Sequence, residues 1–278
     1  MSKKKALRVL KKTPEYLIKT IIILIFVFPF YWMLCTAFKT YAEAIATPPT
    51  LWPADFVLEN FRTAWESGPF PTYLKNSVVV TGSVILLQYI LMVPAAYGFA
   101  RFDFKGKNLL FAIVLIAFMM PSQIVFIPIY LMMARWDLLG TLLPQILPFA
   151  ANAFGIFLLR QYFMQVPEEI IEAAKLDNAR ESQIIFRIML PMAKSAMMTV
   201  ALFSFVSQWN NYFWPLVMTN DAKLRPLTVG IAMLKDAEGL VNWHVIMAGN
   251  TILVIPIVII YIFASRQIVK AFVYSGIK

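Results

Sequence analysis

A chain of 278 residues that is 60% hydrophobic, 15% aromatic and only 14% charged is not an ordinary soluble domain, in which about a quarter of residues carry charge. Its mean hydropathy of +0.70 is that of an all-α integral membrane protein. The single cysteine, Cys35, excludes an internal disulfide and a cysteine metal cluster; the single histidine, His244, leaves little for histidine catalysis; and the net charge of +10 raises a nucleic-acid partner that the placement of the charges must decide.

Residues 1–16 form a basic N-terminal region. The apolar run at 17–38 is too long for a signal peptide, and no small-residue cleavage pattern follows it. It is therefore expected to be a retained first span. A span needs roughly 20 mostly apolar residues. Five more runs qualify, at 76–100, 108–133, 141–160, 196–217 and 244–265, so residues 17–278 are expected to form one transmembrane domain of six helices. Pro29, Pro94, Pro121, Pro128, Pro148 and Pro256 lie inside these runs, where neighbouring helices can satisfy the freed carbonyls.

Six spans put both termini on one side, and charge chooses the side. Most of the 25 Lys and Arg residues fall on one face. Lys3, Lys4, Lys5, Arg8, Lys11, Lys12 and Lys19 are at the N-terminus, with Arg101, Lys105 and Lys107 after the second span. Arg160, Lys175, Arg180, Arg187 and Lys194 follow the fourth, and Arg266, Lys270 and Lys278 are in the tail. The positive-inside rule makes that face cytoplasmic. It also accounts for the net charge with no nucleic acid. The outer connections, 39–75 and 218–243, hold Pro48, Pro49, Trp52, Pro53, Trp65, Asp221, Lys223, Arg225 and Asp236. They serve either as a docking surface or as a cap on the bundle.

The stretch 166–194, VPEEIIEAAKLDNARESQIIFRIMLPMAK, interrupts the apolar pattern. Pro167 suits a first helical position, and Glu168 and Glu169 suit a first turn. Ile170, Ile171, Ala174 and Leu176 give that helix an apolar side. Asp177 and Asn178 break it, and Asn is the non-glycine residue best suited to a left-handed turn. A second helix carries Ile184, Ile185, Ile188 and Met189 and is expected to end before Pro191. This amphipathic hairpin presents a surface to something in water.

The spans hold almost no ionisable residues, so the groups that a proton-coupled carrier requires are missing. There is no GxxxxGK loop for nucleotide phosphates and no catalytic constellation, so the chain reads as a non-enzyme with no cofactor of its own. The spans instead carry neutral amides, hydroxyls and aromatic rings. Gln208, Trp209, Asn210 and Asn211 cluster together; Tyr130, Asn152, Gln88, Gln145, Ser204 and Ser207 are scattered. Amides pair with hydroxyls and aromatic rings cover the apolar face of a sugar, so these residues suit a path for a neutral, polyhydroxylated solute. Interhelical hydrogen bonds and an interfacial aromatic belt require the same residue types. At 1.5 Å per residue, Asn210 lies roughly 21 Å from the cytoplasmic end of its helix.

The hairpin resembles the EAA motif of binding-protein-dependent ABC importer permeases. Glu172, Ala173 and Ala174 are followed by Asp177, Asn178 and Ala179, then Phe186, Ile188, Leu190 and Pro191. Each stands at the family spacing, with Asn178 where that family usually has Gly. PPTLWP at 48–53, YGFAR at 97–101, Met120-Pro121, FLLRQ at 157–161 and WNNYFWPL at 209–216 extend the likeness to the maltose-permease type of carbohydrate importer. The resemblance implies the ABC importer type I permease fold, paired with a second related permease. It also implies two ABC ATPase subunits that hold ATP and Mg, and an extracellular binding protein that delivers a carbohydrate. The hairpin becomes the coupling element, with Glu172 facing a basic residue of the ATPase, Ala173 and Ala174 allowing close approach, and Phe186 packing on the permease side. The alternatives are an importer for another solute class, an ion-coupled secondary transporter and a membrane enzyme.

Overall fold

The computed structural model describes residues 3–234 and 241–274, with side chains for 15–234 and 241–263. Asp236 and Lys278 lie outside the described residues, as do the basic side chains at positions 3–12 and those of Arg266 and Lys270. All regular structure among the described residues is helical. Four helices are long and apolar enough to cross a membrane, or six if each of two bent pairs counts as one span. The chain packs as two units, Met1–Pro69 with Ile231–Ile255, and Phe70–Gly230 with Pro256–Lys278.

In the first unit, α1 (Lys3–Ala37) runs unbroken from the basic region into the first span. Its side chains from Ile21 to Phe28 are exposed, as a lipid-facing surface requires. The C-terminal carbonyls of any helix need partners. Here Asn60, on α2 (Glu59–Glu66), donates its amide to the carbonyls of Ala37 at 2.9 Å and Lys39 at 2.8 Å. Lys39 is 1% exposed, with its ammonium 4.5 Å from the Trp32 ring and donating to the Thr50 carbonyl. Glu43 accepts backbone N–H bonds from Ala54 and Thr40, which hold its carboxyl below the usual range. The proline-rich connection is thus tied down by polar contacts rather than by a large apolar core.

The second unit is built on α3 (Phe70–Arg101). After a turn at Gly106 come α4 (Lys107–Met119) and α5 (Ser122–Arg135). Then follow α6 (Ala153–Met164), α7 (Glu168–Leu176) and α8 (Lys194–Trp209). The last helix, α9 (Trp243–Tyr274), starts in the first unit's residues and ends in the second's. The core joins Met92 and Ala96 of α3, Leu159 and Phe163 of α6, and Ala196 and Val200 of α8. It continues without a break into Ile171, Ile184 and Met189 of the hairpin. Burying each of these three stabilises the hairpin by roughly 1.5–3 kcal/mol against leaving it in water.

Four sequence expectations need correction. The run 108–133 is two helices bent by 99°, because Met120 and Pro121 are both extended. Pro121 disfavours the helical conformation at Met120 and has no N–H to continue the ladder. The run 196–217 is helical only to Trp209; Asn210 to Tyr212 form a break before a short helix at Phe213–Met218. The second leg of the hairpin does not stop before Pro191. It runs through Met192 by way of a π-helical turn at Ile185–Met189, in which the Leu190 N–H reaches the Ile185 carbonyl. That wider turn relieves the clash a proline ring makes with the carbonyl four residues earlier. Pro167 sits just before its helix rather than in its first position.

Candidate functional site

The hairpin between α6 and α8 carries a run of exposed charged and polar residues. Its bend is a Schellman turn. Asn178 has φ 57°, the Ala179 N–H donates to the Ala174 carbonyl at 3.0 Å, and the Asn178 N–H donates to the Lys175 carbonyl at 3.0 Å. These bonds satisfy the last carbonyls of α7 and fix the angle between the two legs. The last alanines of the motif's two triplets are therefore joined through the backbone. Lys175 and Glu181 face each other across the bend at 3.7 Å. The second leg opens with the Arg180 N–H donating to the Gln183 side chain at 2.8 Å.

Burial divides the hairpin into two faces. Ile171, Ile184 and Met189 point into the core. Glu172, Ala173, Leu176, Asp177 and Asn178 are exposed, and Leu176, at 83%, stands clear of the chain at the bend. Among the described residues Glu172 has no hydrogen-bond or ion-pair partner. Phe186 is 67% exposed and does not pack on the permease side as expected. The π-helical turn shifts the register by one residue, and Ile184 and Met189 take the inward positions instead.

A clamp from α3 holds the hairpin, and it was not legible as a unit in the sequence. The Arg101 guanidinium donates to Glu168 Oε2 at 2.6 Å, to the Phe163 carbonyl at 2.6 Å and to the Val166 carbonyl. One cation thus ties the end of α6 to the start of α7, in a side chain only 10% exposed. One turn earlier, the Tyr97 hydroxyl donates to Glu181 Oε2 at 2.5 Å. Both legs are therefore bound to the same helix end. The signal was the i,i+4 spacing of Tyr97 and Arg101 at the C-terminal end of a long span; their partners lie more than sixty residues away.

Deeper in the same unit lies an open cavity of about 630 Å³. Gln88, Asn152 and Ser204 meet on one wall. The Ser204 hydroxyl donates to Gln88 Oε1 at 2.5 Å, and the Asn152 amide donates to Gln88 Oε1 and to Ser204 Oγ at 3.2 Å each. Asn152 also caps α6 by accepting the Gly155 N–H at 2.8 Å. Ser207 and Gln208 extend this polar wall. Phe118, Phe154 and Phe203 form an aromatic row, with centroids 5.6 Å apart for the first pair and 6.2 Å for the second. No lining residue is charged. The cavity can cover an apolar ring face and pair with hydroxyls while offering nothing to a bare charge.

Of the residues singled out from the sequence, the cavity gathers Asn152 and Gln208. Trp209 is 3% exposed and stacks on Phe205 at 5.3 Å. Asn210 ends α8 and donates to the Val206 carbonyl. Asn211 accepts the Trp214 N–H and, through its carbonyl, the Thr228 hydroxyl. Tyr130 packs beside Phe126 and does not line the cavity. The WNNYFWPL run is thus mostly structural, with Trp214 buried and donating to the Pro144 carbonyl at 2.8 Å. The aromatic row was missed because a phenylalanine within a span reads as lipid-facing. Among the described residues no cluster of three or more His, Cys, Asp or Glu side chains forms a metal site.

The family profile described as "Binding-protein-dependent transport system inner membrane component" matches residues 92–273. The chain is 32% identical over 255 residues to an arabinooligosaccharides transport system permease protein of Halalkalibacterium halodurans, covering 91% of each. It is 31% identical over 260 residues to an sn-glycerol-3-phosphate transport system permease protein of Escherichia coli, covering 91% of this chain and 92% of that one. In fold it is similar to a chain of a bacterial ABC transporter that imports the acidic polysaccharide alginate, with TM-score 0.83, 23% identity, and 96% and 98% of the two chains covered.

Proposed function

Because the chain belongs to the family of binding-protein-dependent transport system inner membrane components, we propose that it is the permease subunit of an ATP-driven ABC importer for a sugar or oligosaccharide. The observation that carries this reading is the hairpin: a fixed bend, an exposed carboxylate at Glu172 with no partner among the described residues, an exposed apolar knob at Leu176, and a two-point clamp to a spanning helix. A lever that must transmit motion needs a stiff arm and a free contact face, and this one has both. Glu172, Ala173, Ala174, Asp177, Asn178, Ala179 and Phe186 form or support the face that docks on the ATPase. Phe186 belongs there by its exposure.

The partners in this proposal are a second related permease, two ABC ATPase subunits holding ATP and Mg, and an extracellular binding protein. The chain itself supplies no nucleotide site. Both termini and the hairpin face the cytoplasm in this reading, which the distribution of Lys and Arg supports. ATP binding closes the ATPase pair and draws the two hairpins together. Arg101 and Tyr97 pass that movement to α3, and the spans change from inward-open to outward-open to receive the solute. Hydrolysis resets the state. A differential contact of the ATPase with the two hairpin positions is what drives the exchange.

The substrate class follows from the cavity. Its wall of neutral amides and hydroxyls beside an aromatic row suits a sugar ring, and its lack of charged groups disfavours a phosphate ester. Gln208→Ala and Phe154→Ala are expected to raise the half-saturation concentration for oligosaccharide uptake about 2- to 12-fold, as the loss of one hydrogen bond or ring contact dictates. Asn210→Ala is expected to leave it unchanged. Uptake into proteoliposomes holding the assembled transporter measures this. Unchanged kinetics in both cavity variants would move the solute path into the second permease.

A further inference from the structure

A second and much smaller cavity, of about 10 Å³, shares Gln208 with the large one. Ser77 and Thr81 of α3, Gln145, Gln208 near the end of α8 and Asn211 in the break after it line it. Two of its polar atoms are buried and have no partner: Thr81 Oγ1 and Gln145 Oε1. The residues are 3% and 1% exposed. An unmade hydrogen bond at a buried polar atom is destabilising, so two facing one small void call for an occupant.

The orientation of the Gln145 amide is fixed. Its nitrogen donates to the Leu224 carbonyl at 3.0 Å, and flipping the group would set oxygen against oxygen. Its free atom is therefore an acceptor. Ser77 Oγ already accepts the Leu227 N–H at 2.8 Å, which leaves its hydroxyl hydrogen as a donor. Asn211 spends its side-chain oxygen on Trp214, which leaves its amide nitrogen as a donor. The niche thus offers an acceptor, two donors, and a Thr81 hydroxyl that does either. A space of this size admits one water and excludes a sugar.

We propose that this niche is a binding site for a single ordered water molecule, bridging Thr81 and Gln145 and completed by Ser77 or Asn211. Three or four hydrogen bonds are what a buried water ordinarily makes. The water joins α3 to the segment around Gln145 and to the end of α8, which carries Gln208 on the wall it shares with the large cavity.

The test uses the complete transporter in nanodiscs. A map that resolves ordered waters is expected to show one density within hydrogen-bond distance of Thr81 Oγ1 and Gln145 Oε1. Thr81→Val and Gln145→Leu are each expected to lower the unfolding temperature by several degrees, and the double variant to fall by less than the two losses added together. Thr81→Ser, which keeps the hydroxyl, is expected to retain both density and stability. An empty niche in a map that shows waters elsewhere would overturn the proposal, as would strictly additive losses. A wild-type unfolding temperature that follows sodium replaced by choline at fixed ionic strength, with no such response in Thr81→Val, would overturn it in favour of a cation.

Discussion

Glu172→Lys is expected to abolish solute-stimulated ATP hydrolysis and uptake while leaving the chain inserted and folded. Glu172 is exposed and has no partner among the described residues, so its replacement touches no contact within the subunit. Surface changes of this kind alter stability by about 0.5 kcal/mol or less. In the proposed docking, the effect arises where the carboxylate meets the ATPase. Reversing one member of a buried charge pair at an interface costs about 2 kcal/mol or more, a factor of about 30 in affinity. Stimulated ATPase activity in proteoliposomes is the measurement, with unfolding temperature as the control. Normal stimulation in the variant would remove Glu172 from the docking face.

Arg101→Gln is expected to uncouple the transporter by loosening the hairpin from α3. The guanidinium serves one carboxylate and two backbone carbonyls from a side chain 10% exposed. Each charge-assisted bond contributes about 1.5–3 kcal/mol, and that to Glu168 is discounted because Glu168 is 61% exposed. A loss of about 2–4 kcal/mol in anchoring is enough to let the first leg fray. Amide hydrogen exchange over residues 166–176 is expected to accelerate, ATP hydrolysis to persist, and uptake to fall by more than about 10-fold. Arg101→Lys recovers only part, because an ammonium cannot fork to several acceptors in fixed geometry. Slow exchange with normal uptake in Arg101→Gln would show that the clamp does not carry the motion.

These two residues mark what the sequence makes legible and what it does not. Glu172 and Asn178 lie within one local pattern, where a carboxylate, two alanines and a turn residue are read by spacing alone. Asn178 occupies the left-handed conformation that its chemistry favours. Arg101 was visible only as a positive charge, because its partners Phe163, Val166 and Glu168 are brought to it by the packing of α3 on α6. Prolines misled in two opposite ways. Pro121 broke a run that was expected to form one span with its freed carbonyls satisfied by neighbours, while Pro191 sat inside a helix it was expected to end. In each case the outcome depended on whether the backbone just before the proline left the helix or widened into a π-turn. The cavity was half legible. Asn152 and Gln208 have the amide chemistry that sequence reading seeks, but Asn210 and Asn211 have it too and use it to hold the fold together.

The most direct measurement is crosslinking from the tip of the hairpin. Cys35 is buried, so Leu176→Cys in the otherwise unchanged chain provides a thiol on the exposed knob. In the assembled transporter, a maleimide–benzophenone reagent attached to this thiol is expected, on irradiation, to insert into a neighbouring C–H bond and join the position to an ABC ATPase subunit, with a yield that changes between nucleotide-free and ATP-bound states. Labelling of the introduced thiol by a water-soluble maleimide, with no ATPase adduct in either state, would contradict the account, because the hairpin would then be reachable from water and docked on nothing.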